Sequence, residues 1–600
     1  MVKSKEMIRL ALAVWAVNDG EKILKEDLAN PNKMENSVWD GRTVRLFGAR
    51  NETVAFQVIV EAGDAEASSL YVEMSGLVHD EHEDCRIEND SELSGDEASN
   101  VGLRIEVFTQ HYLYVSPDLS TAPQWFYAAS APPLHRSGWI PDALIPANAK
   151  PRLGGQPVRA AARVNQGFWI DIYIPRDAEL KAGIYRGTVT VRDGEALVAE
   201  LPIELQLYDF ALPDENHSLT FVYANDVSEY YPEVPDIRDR FRRMAHRHRF
   251  DLVGSEVHSR KFDAEALEQY APYLNGSFFT KENGYEGPGE HVGEDVFPIG
   301  MYGAKVLGSE PEEMQREADK WVEYFEALKW PGSYFCYLID EPLPAKYEWI
   351  REQAAIVHDS VGAGKRLPLL TTRRYTPEIE DSIDIWCAHK IDPESMEYCR
   401  ASGDKLWFYN GYRPYHGSLI LEAEAVDMRV NSWLRYRYGI KGYFVWHGTH
   451  WRHNHQGPRG RWNQNVYSYA VTFMYVAKDE AAYYGDDGVH FGNGDGLLFY
   501  PGREPFFREQ DRGVDGPISS IRMKNLRRGI QDYEYLWLAA QRGYAAEADA
   551  IAREAVPSGM HETVVGGEAS WSPCGSKWDE YRRRTAELIG AVSVSAGDRQ

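Results

Sequence analysis

Eight short apolar runs, interleaved with stretches of helical periodicity, occupy residues 218–450, and no other feature limits the possible folds of this chain as strongly. The runs are SLTFVYAND (218–226), FDLVGSEV (250–257), a segment near 297–306, YFCYLIDEP (334–342), LPLLTT (367–372), IDIWCAHK (383–390), KLWFYNGY (405–412) and KGYFVWHGTH (441–450). Amphipathic stretches at 237–249, 311–329, 347–361 and 423–439 separate several of them. Strands alternating with helices over this length predict a (β/α)8 barrel of the TIM type, with an open doubly wound sheet as the alternative. Upstream the texture is β: ETVAFQVIVEAG (52–63) alternates as a half-buried strand does, and the Asp193-Gly194 turn marks a hairpin. Residues 117–157 hold eight prolines and little periodicity, which reads as an arm between two β-sandwich units. The expected division is an N-terminal β-sandwich (1–115), the arm with a second sandwich unit (116–213), the barrel (214–545) and a helical extension (546–600).

Composition narrows the class. A chain of 600 residues that is 43% hydrophobic can fill several cores, and a formal net charge of −27 disfavours nucleic acid and anionic membranes as partners. The five cysteines are scattered without a CxxC pair, which suits reduced thiols and a cytoplasmic location. LALAVWAV near the start reads as a first strand, and no apolar run approaches the ~20 residues of a membrane span. Neither a cofactor nor a metal is expected: SVGAGKRL (360–367) lacks phosphate-loop spacing and suits a helix C-cap turn. Oligomeric state is not encoded in any of these patterns.

The Asp-Glu dipeptide occurs six times, but only at Asp340-Glu341 does it end an apolar strand, followed by Pro342. Barrel enzymes carry their catalytic groups at the C-terminal ends of strands. Neighbouring side chains of a regular strand point to opposite faces, so these two carboxyls converge only if the backbone turns where Pro342 stops the ladder. Adjacent residues are poorly placed to flank a glycosidic bond from both sides. They suit substrate-assisted hydrolysis of a 2-acetamido sugar, in which the substrate's own acetamido oxygen attacks C1. Glu341 would then be the acid/base, its pKa raised by apolar surroundings and by Asp340, while Asp340 orients the acetamido group.

YLIDEP, VWAVNDGEKI, WDGRTVRLFGARNETVAFQVIVEAG, WIDIYIPRDAELKAGIYRGTVTV, GLLFYPG and SIRMKNLRRGIQDYEYLWL together resemble glycoside hydrolase family 123 and its close relatives, over about residues 12–540. The resemblance implies N-terminal β-sandwich domains, a (β/α)8 barrel and a metal-independent, retaining exo-acting β-N-acetylgalactosaminidase on an oligosaccharide or glycoconjugate. It implies Asp340 as the acetamido-orienting residue and Glu341 as acid/base. A barrel glycosidase for sugars without the acetamido group and a non-catalytic carbohydrate-binding protein stay open as alternatives.

Strand ends also nominate substrate ligands. His389 ends the sixth run, and Tyr409 and Asn410 end the seventh. The loop WHGTHWRHNHQGPRGRWNQN (446–465) departs from what the family leads one to expect. It offers Trp446, Trp451 and Trp462 as stacking platforms and His447 as a polar ligand. Its histidines do not predict a metal, since no carboxylate lies near and Arg452, Arg459 and Arg461 would repel a cation. Between Lys441 and Tyr467 there is no acidic residue, so Arg459 and Arg461 are expected to read an anionic group on the substrate.

Overall fold

The computed structural model describes residues 12–89, 104–117, 126–135, 137–453, 462–473 and 490–590. Its N-terminal part is built on two sheets. One has five antiparallel strands in the order Leu12–Asn18, Glu52–Ala62, Asn165–Ile174, Ile105–Val115, Gly138–Pro146. The other is built along Val44–Arg50, Ala196–Ala211, Gly183–Asp193, Ala67–Met74 and Val158–Ala160. The alternation in ETVAFQVIVEAG has a structural counterpart: Val54, Phe56, Val58 and Val60 share a core with Val44, Leu46, Val189 and Leu205 of the second sheet. Ala55, from the opposite face, packs with Phe108, Trp169, Ala425 and Ile521. The division expected at 115/116 therefore cuts through both sheets. Strands from each side of it are neighbours in both, and the proline-rich stretch read as an arm supplies the edge strand Gly138–Pro146.

Six barrel strands form within their apolar runs, the fourth starts one residue before its run, and the third starts one residue before its segment and ends early, before the 3-10 turn Met301–Gly303: β1 (Leu219–Ala224), β2 (Asp251–Gly254), β3 (Val296–Ile299), β4 (Ser333–Ile339), β5 (Leu369–Thr371), β6 (Ile385–Ala388), β7 (Lys405–Tyr409) and β8 (Gly442–Val445). They pair in parallel in the order β2-β1-β8-β7-β6-β5-β4-β3, a nearly closed barrel. At the seam a side chain takes over from the ladder. The Asp251 carboxylate accepts from the backbone N–H of Asp295 (2.7 Å) and Val296 (2.9 Å), so β2 and β3 are tied without pairing. Period-2 alternation fills the interior: Phe221, Phe335, Trp407 and Phe444 pack with Tyr223, Tyr337 and Tyr409 from the next inward positions of β1, β4 and β7.

The outer helices α1 (Ile237–Arg247), α2 (Ala264–Leu274), α3 (Pro311–Leu328), α4 (Tyr347–His358), α5 (Pro393–Ser402) and α6 (Val426–Tyr438) follow helical spacing. In α3, Pro311 opens the first turn, Glu312 and Glu313 suit the positive end of the dipole, and Met314, Ala318, Trp321, Val322 and Phe325 form the buried stripe. Between β5 and β6 a 3-10 turn (Pro377–Ser382) replaces a helix. No described helix is long and apolar enough to cross a membrane.

Helix α7 (Ile521–Ala539) joins the two halves, and this explains the charge-rich motif IRMKNLRRGIQDYEYLWL. Arg522 binds Asp142, Lys524 and Arg527 bind Asp171, and Arg528 reaches both Asp19 and Glu52, all within 3.2 Å and all buried. Each acid lies in the N-terminal part. Burial alone would raise Asp171, but Arg527 and Lys524 hold it well below the ordinary carboxylate range. On its other side α7 approaches α6 so closely that a Cβ on Gly529 would sit 2.5 Å from the Arg429 carbonyl oxygen. The Arg429 side chain in turn binds Asp532 at 2.6 Å.

Candidate functional site

Strand β4 ends in a register irregularity against β5 between Tyr337 and Ile339. Two residues beyond the strand, Glu341 adopts φ 39°, the left-handed region that side-chain-bearing residues rarely occupy. That turn is the backbone change the adjacent carboxyls needed in order to converge. One hydroxyl links the two residues: Thr372, just past β5, accepts from the Glu341 backbone N–H and donates to Asp340 Oδ1, both at 2.6 Å. Tyr337, the inward residue three positions earlier, also donates to Asp340 Oδ1 at 2.6 Å. Asp340 Oδ1 thus accepts two hydroxyl hydrogen bonds. Glu341 accepts from the Tyr409 hydroxyl, 2.5 Å away across the mouth from the end of β7. The Glu341 carboxyl reaches solvent, yet its barrel side is crowded. That desolvation raises its pKa, the Tyr409 hydrogen bond pulls it down, and the Asp340 charge pushes it up again, with a net rise.

Two more residues hold left-handed backbone at strand ends, Tyr302 (φ 55°) after β3 and Asn410 (φ 55°) after β7. Both brace Trp446. Asn410 Oδ1 accepts from the Trp446 backbone N–H at 2.9 Å, and the Tyr302 hydroxyl donates to the Trp446 carbonyl. The Trp446 indole N–H donates to the buried Asp495 at 2.9 Å, and burial lifts that carboxyl to about 7. Trp446 is thus a half-buried platform held at three atoms. Asp495 sits between Gly494 and Gly496, and a Cβ on Gly496 would come 2.9 Å from the Trp446 ring. Backbone strain gathered at one end of a barrel is the pattern of a preorganised site.

His389 lies with its ring 5.3 Å from Tyr409, and burial, with the positive charge of Lys390, lowers it to about 4, so it is neutral at working pH. His447 is buried against Tyr223 (5.2 Å between rings) and accepts the Thr449 N–H at Nδ1. The structure brings Asp340, Glu341, Tyr409 and His389 together, with Asn410, Trp446 and His447 behind or beside them. Trp451 does not belong to this group. It is 1% exposed, its indole donates to the Phe499 carbonyl, and its ring packs on Tyr230 and Phe241, so the expectation of a stacking face there is corrected to a core role. Arg459 and Arg461 lie outside the described residues, as does the side chain of Trp462, whose backbone pairs with His453. The loop's first arginine, Arg452, forms an ion pair with Glu229. Sequence reasoning missed Tyr337, Thr372, Tyr302 and Asp495. Tyr337 was recoverable, since period-2 alternation from Phe335 points it inward. Asp495, within GNGDG, reads only as a turn.

Residues 319–539 match the family described as Glycoside hydrolase 123, catalytic domain. The fold is similar to that of a family 123 glycoside hydrolase from Clostridium perfringens, solved in a study of glycolipid glycan hydrolysis. That match covers 98% of this chain and 100% of the other, at 12% identity and a TM-score of 0.62. A family 5 xyloglucanase from Bacteroides ovatus covers 81% of this chain and 98% of its own at 9% identity, but its TM-score of 0.26 carries no argument. No curated protein matches the chain.

Proposed function

On the match of residues 319–539 to the catalytic domain of glycoside hydrolase family 123, we propose that the chain is a member of that family and a retaining exo-β-glycosidase releasing terminal 2-acetamido sugars, N-acetylgalactosamine foremost. The observation that carries this reading is the left-handed turn at the end of β4, where Asp340 and Glu341 are chain neighbours and Thr372 links Asp340 Oδ1 to the Glu341 backbone N–H. Carboxyls on two adjacent residues are poorly placed to straddle an anomeric carbon as a nucleophile and an acid must. The nucleophile then comes from the substrate. The acetamido oxygen attacks C1 as the bond to the glycosidic oxygen breaks, and Glu341 gives that oxygen its proton. Asp340 accepts the acetamido N–H and offsets the positive charge of the oxazolinium ion. Glu341, now ionised, takes a proton from the water that opens the ring, so the configuration at C1 is retained. Trp446 serves as a stacking platform for the sugar, with His389 as a neutral ligand to its hydroxyls and His447 buried against Tyr223. Oligosaccharides and glycoconjugates are the substrate class. The glycolipid glycans named for the Clostridium perfringens enzyme are the first to try.

The test assays an aryl 2-acetamido-β-galactoside beside the plain β-galactoside, with a thiazoline mimic of the oxazoline as inhibitor. Cleavage of the acetamido substrate alone, with competitive thiazoline inhibition weakened in Asp340→Asn, is expected. A covalent glycosyl-enzyme trapped by a 2-fluoro sugar would overturn the substrate-assisted reading.

A further inference from the structure

We propose that Lys390 is a specificity-determining cation of the mouth, taking a sulfate or carboxylate carried by the substrate. Lys390 is exposed and lies two residues beyond the end of β6, directly after His389. Its ammonium is held 3.9 Å over the Tyr412 ring and 5.6 Å from that of Tyr415. Among the described residues no carboxylate pairs with it. Asp392, two residues on, is engaged by Arg374 at 2.8 Å. A cation fixed by aromatic faces keeps its charge unneutralised and loses little freedom when a ligand arrives.

The position links this charge to the chemistry. The Tyr412 ring lies 5.4 Å from that of His389, which lies 5.3 Å from Tyr409, whose hydroxyl bonds Glu341. A substrate seated against Glu341 and Tyr409 therefore brings its neighbouring substituents towards Lys390. The chain has a net charge of −27, and Asp340 and Glu341 stand at the same mouth, so an anionic substituent needs a local cation to be held there. An ammonium with no carboxylate partner among the described residues suits a ligand bearing negative charge. Lysine acts on sulfate or carboxylate as a point charge with three donors.

The inference rests on the glycosidase reading above, and the anion has two sources. It is borne by the released sugar itself, as a sulfate ester, or by the next residue, as a uronate. The experiment compares kcat/KM for a neutral aryl 2-acetamido-β-galactoside, its 6-sulfate, and a disaccharide whose leaving residue is a uronate, in wild type and Lys390→Met. Expected is a fall of about ten-fold in the anionic-to-neutral ratio for one of the two arms, the size of one charge-assisted hydrogen bond. In 1 M salt, where the screening length is about 3 Å, the difference between the two proteins should shrink. The arm that responds names the source. Ratios unchanged in both arms, with turnover intact, would overturn the role of Lys390 and leave the glycosidase reading standing. If wild type cleaves none of the three, the glycosidase reading fails instead. Calorimetric binding of the 6-sulfated against the plain 2-acetamido sugar then decides Lys390, and equal affinities in wild type and Lys390→Met would sink it.

Discussion

Glu341 carries a carboxyl that its neighbours push in opposite directions. Burial raises it, the Tyr409 hydroxyl lowers it, and Asp340 raises it. As an acid it works below its pKa, so each neighbour sets how far activity extends towards alkaline pH. Tyr409→Phe removes the only lowering influence among these three. The alkaline limb of kcat/KM should move to higher pH while the plateau falls, because the carboxyl is also less well held. A limb that stays put or moves down would show that Tyr409 does not tune the acid. Glu341→Gln should fold normally and lose roughly 10²–10⁴-fold on natural glycosides, with a smaller loss on an activated aryl glycoside that needs no proton. Equal losses on the two substrates would exclude it as the acid.

At the scale of elements, α7 gathers the largest concentration of buried charge described above. Asp171 answers two cations there, Lys524 and Arg527. Asp171→Ala strands both, and leaving a buried ion unpaired typically costs about 3–5 kcal/mol. Urea unfolding should show that loss, and a change under about 1 kcal/mol would mean the pairs are solvated in solution. These contacts also show where sequence reading stops. The eight barrel strands and α3 were legible because burial on a strand or a helix face imprints a short period on neighbouring residues. The interleaving of the two N-terminal sheets was not, because pairing of Ile105–Val115 with Gly138–Pro146 and Asn165–Ile174 leaves no local period that distinguishes it from pairing in sequence. The same holds at the mouth. Asp340 and Glu341 announced themselves by position, since carboxyls at the end of an apolar run are unusual. Tyr409 was nominated as a strand end, but nothing in the chain said that its hydroxyl meets Glu341, 68 residues away.

Over the whole molecule, two sets of buried groups act oppositely on stability. His111, His246 and His389 are lowered to about 4, and His258 and His416 to about 3, in each case first by burial. The unfolded chain binds their protons below pH ~6.5 and the folded one does not, so their effect is to weaken the fold as pH falls through that range. Glu21, Asp295, Asp495 and Glu504 are raised to about 7, again first by burial. Folding holds their protons, so the stability they contribute is lost as pH rises through 7. Above pH ~6.5 these histidines are neutral in both states, so the thermal midpoint should decline as pH rises from about 6.5 to 7 and the acids lose their protons. A midpoint still rising through pH 7.5 would contradict these assignments.

The pairing of Asp19, Glu52, Asp142 and Asp171 with Arg522, Lys524, Arg527 and Arg528 also sets an order of events during synthesis. Domains of a long chain commonly fold as they leave the ribosome, the N-terminal one first. Here the first sheet emerges with four acids whose neutralising partners are translated more than 300 residues later. Until then the face that will meet α7 has reason to stay wet. The N-terminal sheets should therefore reach their final packing only after the barrel has been made. A nascent chain stalled with residue 515 just outside the exit tunnel should keep strands 12–18 and 52–62 open to protease, and one stalled with residue 545 just outside it should protect them.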